Sequence, residues 1–129
     1  MENDKWKIVM RLLIVDDNAE VRGLIKRALA RLGAEFAECG DGTEAVAAYT
    51  AQRPDFVLMD IEMPVVDGIT ATQQIIAGDP SARIIILTNH DQPSLRQAAQ
   101  AAGACRYALK ENLLVVRKII GELTNESSV

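Results

Sequence analysis

The sequence predicts an α/β domain, a doubly wound five-stranded parallel sheet with five helices on its two faces. Three observations carry that prediction. The runs Leu12-Leu13-Ile14-Val15, Phe56-Val57-Leu58-Met59 and Ile84-Ile85-Ile86-Leu87 are short and continuously apolar, as strands covered on both faces must be. Between them the apolar residues fall at steps of three and four, the helical repeat. The two kinds of segment alternate strictly, which calls for right-handed crossovers.

Residues 1 to 10, with Trp6, Ile8 and Val9 among charges, form an N-terminal extension to a domain spanning residues 11 to 124. The first strand ends in Asp16 and Asp17. From Asn18 the residues Val21, Leu24, Ile25, Ala28, Leu29 and Leu32 line one helical face, and Gly33 supplies the stop. Ala34 to Cys39 alternates, which suits a strand near an edge. Gly40-Asp41-Gly42 is a turn, and Thr43 is expected to cap a helix through Glu44, Ala45, Val46, Ala48 and Tyr49 until Arg53-Pro54 ends it. The strand from Phe56 ends abruptly in Asp60. An irregular loop from Ile61 to Gly68 follows, with Asp67 as cap for a helix containing Ile69, Thr72, Ile75 and Ile76, closed by Gly78-Asp79-Pro80. The next strand ends at the hydroxyl of Thr88. Asn89 to Pro93 leads into a helix from Ser94 to Ala102, stopped by Gly103. Arg106-Tyr107-Ala108-Leu109 is the last strand and delivers Lys110. The last helix uses Leu113, Val116, Ile120 and Leu123 before a polar tail, residues 125 to 129.

Composition bounds the function. A chain of 129 residues is one domain's worth, and a chain of about 150 residues buries roughly 68–70% of its unfolded surface, enough for a real core. A net charge of -4 argues against a broad basic face for nucleic acid. Neither a bilayer-length apolar run nor a basic signal-peptide start is present, so a cytoplasmic protein without membrane contact is expected. Cys39 and Cys105 lack metal-ligand spacing and read as reduced core thiols.

In an open α/β sheet ligands bind outside the carboxyl ends of the strands. Asp16, Asp17, Asp60, Thr88 and Lys110 all fall at such ends. Carboxylates crowded there repel, each pair by roughly 4 kcal/mol at about 4 Å and an effective dielectric near 20. Lys110 offsets part of this, and a hard divalent cation such as Mg²⁺, which takes carboxylates and keeps sites open for phosphoryl oxygens, suits the rest. Asp60 is then a candidate nucleophile toward a phosphoryl group, with Lys110 neutralising charge and Thr88 donating a hydrogen bond. For each residue a bland role is also available. Asp16 and Asp17 could cap the helix after Asn18, Lys110 could be a solvated lysine, and Thr88, Tyr107 and His90 could be ordinary loop and rim residues.

Leu13-Ile14-Val15-Asp16-Asp17, Leu58-Met59-Asp60 with Met63-Pro64 and Asp67-Gly68, Ile86-Leu87-Thr88, and Tyr107-Ala108-Leu109-Lys110 together resemble the receiver domain of two-component response regulators. The resemblance covers about residues 11 to 124 and implies a flavodoxin-like sheet of order 2-1-3-4-5. It implies Asp60 as the phosphorylated residue, and Mg²⁺ held by Asp17, Asp60 and the Glu62 carbonyl, with Asp16 acting through water. Thr88 and Lys110 become phosphoryl contacts, Tyr107 the switching aromatic, and a sensor histidine kinase or phosphotransfer protein the donor. Glu111 stands where many receivers have proline, as in the branch whose longer members carry a helix-turn-helix. The chain is therefore either a stand-alone receiver or a piece of a longer protein. Asn89 is larger than the usual residue there and narrows access to Asp60. Glu62 and His90 occupy positions that tune phosphoryl hydrolysis, and are expected to approach each other and gate the attacking water.

Two rival functions stand beside this one. A receiver-like binding module would act without phosphorylation, and a Mg²⁺-dependent phosphohydrolase would use the same aspartyl nucleophile but lacks room for a cap domain. Leu114, Val115 and Ile119 exceed what one apolar helical face needs. With the alanines Ala98, Ala99, Ala101 and Ala102 they suggest that the last two helices receive an output partner or a second copy.

Overall fold

A computed structural model describes residues 9–127 of the chain. The elements are β1 (Arg11–Val15), α1 (Ala19–Ala28), a 3₁₀ turn (Ala30–Leu32), β2 (Glu35–Cys39), α2 (Ala45–Gln52), β3 (Phe56–Met59), α3 (Gly68–Gly78), β4 (Ile84–Thr88), α4 (Pro93–Ala102), β5 (Arg106–Leu109) and α5 (Leu113–Ser127). All strand pairs are parallel and the order is β2-β1-β3-β4-β5, the order the sequence implies. Trp6 and Ile8 of the N-terminal extension lie outside the described residues.

Alternation along the strands divides the core in two. Leu13, Val15, Val57, Met59, Ile84 and Ile86 pack against Ala45, Ala71, Ile75 and Ala99 of α2, α3 and α4. Leu12, Ile14, Phe56, Leu58, Ile85 and Leu87 pack against Ile25, Val116 and Ile120 of α1 and α5. Because β3 and β4 are buried at every residue, they carry apolar groups on both faces, and polar residues are confined to their ends. β2 is an edge strand and is only partly covered.

The strand register levels those ends. Val15 lies opposite Met59, and Met59 opposite Ile86. One residue further, main-chain bonds continue the ladder: Asp16 N–H to the Cys39 carbonyl at 3.1 Å, Asp60 N–H to Val15 at 2.9 Å and Lys110 N–H to Thr88 at 2.8 Å. Three prospective site residues are thus tied to the sheet by their own backbones.

Several local expectations change. α1 stops at Ala28, short of Gly33, and the chain tightens into the 3₁₀ turn through Leu32 N–H to Leu29 and Gly33 N–H to Ala30. Leu29 and Leu32 still pack into the core, because a three-residue step suits both kinds of turn. Asp41, not Thr43, organises the start of α2: its carboxylate accepts from the Glu44 N–H at 3.0 Å and from the Thr43 hydroxyl. Asp67 caps α3 as expected, accepting from Thr70 N–H at 2.8 Å. α5 continues to Ser127, into the segment read as tail. Ala99 and Ala102 are buried, so the outer face of α4 includes Ala101 but not those two. Both cysteines are free thiols, and among the described residues the peptides are trans, including Lys110–Glu111.

Candidate functional site

At the carboxyl edge of the sheet, β1 delivers Asp16, β3 delivers Asp60, and β5 delivers Lys110. Asp16 and Asp60 are buried, at 1% and 6% exposure, which places two carboxylates where solvent screens them little. The Lys110 ammonium lies between them, 2.7 Å from Asp16 Oδ2 and 3.2 Å from Asp60 Oδ1. Asp17 is exposed, and its carboxylate lies with those of Asp16 and Asp60 in a group whose oxygens fall within 4.8 Å of one another. The convergence drawn from the strand ends is therefore present.

The charges do not balance within the cluster. Burial, with help from the Asp16 and Asp17 charges, pushes Asp60 up to about 6 against the pull of Lys110. Burial alone would lower Lys110, but its close contact with Asp16 and the charges of Asp60 and Asp16 hold it above the ordinary lysine range. One ammonium thus serves three carboxylates. Asp16 Oδ2 lies in ion-pair contact with Lys110, yet no well-aligned hydrogen bond reaches it. An all-oxygen donor set with excess negative charge fits a hard cation of the Mg²⁺ type rather than a thiophilic metal.

Asp16 is fixed from several sides. Its Oδ1 accepts from the Asn18 N–H at 2.9 Å, and its carbonyl accepts from Arg22 Nη1 at 2.6 Å. Arg22 also pairs with Glu38 on β2, at 2.8 Å. Sequence reasoning missed Arg22, because nothing in the α1 periodicity marks which polar residue turns back onto the strand end. Asn18 also caps α1, so the capping role expected at this junction belongs to it rather than to the two aspartates.

The second wall is the β4–α4 loop. Thr88 is fully buried and its hydroxyl oxygen accepts from the His90 N–H at 3.3 Å. Asn89 is exposed. His90 Nε2 lies 2.7 Å from Glu62 Oε1, so the expected approach of these two residues is present and bridges the loops on either side of Asp60. The Tyr107 hydroxyl donates to the His90 carbonyl at 2.6 Å, and its ring lies 4.5 Å beneath the Arg96 guanidinium. Arg96 in turn pairs with Asp91 at 2.6 Å. This Arg96 and Asp91 contribution was not read from the sequence either, since it joins α4 to β5 across a face that no motif marks.

Such an edge can bind a divalent cation, accept an electrophile on a buried carboxylate, and communicate with a partly exposed tyrosine through one loop. The model of the response regulator receiver domain matches residues 12–117. A chemotaxis protein CheY from Bacillus subtilis is 45% identical over 101 residues, covering 78% of this chain and 84% of that protein. The transcriptional regulatory protein PrrA of Mycobacterium bovis is 36% identical over 104 residues, 81% of this chain but 45% of PrrA. Among solved structures, a two-component response regulator of the LuxR family from Aurantimonas sp. superposes with a TM-score of 0.83 at 34% identity, covering 92% of this chain and 87% of that one.

Proposed function

The chain belongs to the family of response regulator receiver domains, and from that premise we propose that residues 11–124 accept a phosphoryl group on Asp60 and act as a phosphorylation-driven switch. The observation that carries the reading is Lys110 lodged between Asp16 and Asp60, with Asp17 beside them, at the end of β3. The donor is a phosphohistidine of a sensor histidine kinase or phosphotransfer protein, and the setting is cytoplasmic. Among the described residues no helix is long and apolar enough to cross a membrane.

Asp17, Asp60 and the Glu62 carbonyl would hold Mg²⁺ directly, and Asp16 through water. Bound there, Mg²⁺ supplies positive charge for the oxygens of the phosphoryl group. The Asp60 carboxylate attacks phosphorus as the P–N bond to the donor imidazole breaks, and the imidazole keeps the electron pair and a proton. Lys110 stands 3.2 Å from Asp60 Oδ1, close enough to neutralise charge on the incoming group. Thr88 exchanges its contact with the His90 N–H for one to the phosphoryl oxygen. That change pulls on the loop whose carbonyl anchors Tyr107, and a coupling of about 1–3 kcal/mol would be typical. Leu114 and Val115 on α5, both exposed, offer the surface on which an output partner or second copy responds. Glu62 and His90 gate the water that ends the signal, and the phosphoryl lifetime should change in Glu62→Ala and His90→Ala.

Incubation with Mg²⁺ and acetyl phosphate, followed by intact mass, tests the proposal. One added phosphoryl is expected, lost when Mg²⁺ is chelated and absent in Asp60→Asn. An unchanged mass with the cognate kinase as donor would instead favour a binding module that works without phosphorylation.

A further inference from the structure

Val65 is the most exposed large apolar side chain among the described residues, at 90%. Its φ of 70° lies in the left-handed region, which a β-branched residue enters only under constraint. The Val66 N–H donates to the Pro64 carbonyl at 2.8 Å, so Val65 is the centre of a three-residue γ-turn with positive φ, a rare and strained form. Neighbouring contacts prevent relaxation. A Cβ on Gly42 would come within 2.2 Å of the Val66 carbonyl oxygen, and Gly68 N–H is bonded to Ile61 at 2.8 Å. Asparagine or glycine would fit this backbone better, and valine here adds nothing to either core. What it does is hold an isopropyl group out into solvent.

Pro64, the residue before Val65, lines an open groove of about 640 Å³ bounded by the β3–α3 loop, the first turns of α3 and the start of α4. Met63, Ile69 and Leu95 give it an apolar floor. Asp17, Glu62 and Asp67 line it too, and among the described residues no lysine or arginine does. A trough between two helices with an apolar floor accepts a third helix laid along it. Glu62 bonds His90 and Asp67 caps α3, but neither meets a lysine or arginine in the groove, and this acidic lining selects the charge of the helix.

We infer that this groove, together with the exposed Val65 that follows Pro64 of its lining, docks a helix of a partner protein whose apolar face is edged by lysine or arginine. Apolar side chains of that helix cover Val65, Met63 and Leu95 while its cations meet Glu62 and Asp67. The surface is separate from the exposed Leu114 and Val115 of α5. It needs no phosphoryl group on Asp60, so its failure would leave the phosphorylation reading untouched.

The test is a titration of the isotope-labelled full chain, followed by amide chemical shifts, with an amphipathic helical peptide whose leucine face is flanked by lysines. A twin peptide with glutamate at every lysine is the control. The basic peptide should shift residues 61–73 and 95, and the twin should bind at least about tenfold more weakly. Val65→Asn should weaken the basic peptide about fivefold while raising the melting temperature, because asparagine tolerates the positive φ. Leu95→Gln should also weaken it. Shifts centred on α1 or α5, equal affinity for the twin, or unchanged affinity in Val65→Asn would each overturn the inference.

Discussion

The β3–α3 and β4–α4 loops flank the same carboxylate but are held by different kinds of contact. The β3–α3 loop is held mainly by backbone: Gly68 N–H bonds to Ile61 and a Cβ on Gly68 would fall 1.8 Å from the Asp60 carbonyl oxygen, with the Asp67 side chain capping α3 at its end. The β4–α4 loop is held mainly through side chains, by Glu62 to His90, Tyr107 to the His90 carbonyl, and Arg96 to Asp91. Backbone contacts of the first sort break only with the fold. Side-chain contacts of the second sort are each worth about a kcal/mol or less when exposed and can be exchanged without unfolding. The proposed phosphoacceptor is therefore built on the fixed loop, and the residues proposed to respond on the exchangeable one.

The largest expected effect tests the fixed side. Gly68→Ala should destabilise the domain by about 3 kcal/mol or more in urea unfolding, since neither backbone can yield to the added methyl group. A fully stable variant would mean that the loop is not locked. Lys110→Met removes the one cation inside the cluster. It should slow phosphoryl acceptance from acetyl phosphate by about 10²–10³-fold and lower stability as well, because buried Asp16 and Asp60 lose their partner. Asp67→Ala should cost about 1 kcal/mol through its lost cap, again read by denaturation.

Changes on the exchangeable side should leave stability almost alone. Arg96→Ala should shift unfolding by no more than about 0.5 kcal/mol, since its pair with Asp91 is exposed, while altering the environment of Tyr107 seen by side-chain NMR. The smallest effect belongs to neither loop. Lys26, the first cause, together with Arg22 holds the Glu38 carboxyl below its usual range. A lowered folded pKa gives stability that is full above the unfolded value of 4.5 and is lost as pH falls through the folded value. Glu38→Gln should therefore flatten that acid decline by about 0.3 kcal/mol or less, as the pair is partly exposed. Its phosphoryl lifetime should match that of the parent.

What could be read from the sequence follows the same division. Apolar runs that stop abruptly at Asp16, Asp60 and Thr88 announce both the strands and the edge where those groups meet, because a strand buried on both faces tolerates polar groups only at its ends. The fixed side was therefore legible, down to Asp67 as the cap. Contacts that depend on where a long side chain swings were not. Arg22 reaching the Asp16 carbonyl, Arg96 over Tyr107, and Tyr49 bonded to Asp79 at 2.7 Å join residues far apart in sequence with no shared period. The step from Ala28 into the 3₁₀ turn escaped because Leu29 and Leu32 satisfy both helical repeats. The Glu62 and His90 approach was anticipated only through the family resemblance.

Amide hydrogen exchange with and without the phosphoryl group on Asp60 tests the contrast between the loops most directly. Protection should change at residues 88–92 and around Tyr107 while residues 61–68 exchange as before. Altered exchange across residues 61–68 with an unmoved 88–92 segment would contradict the account.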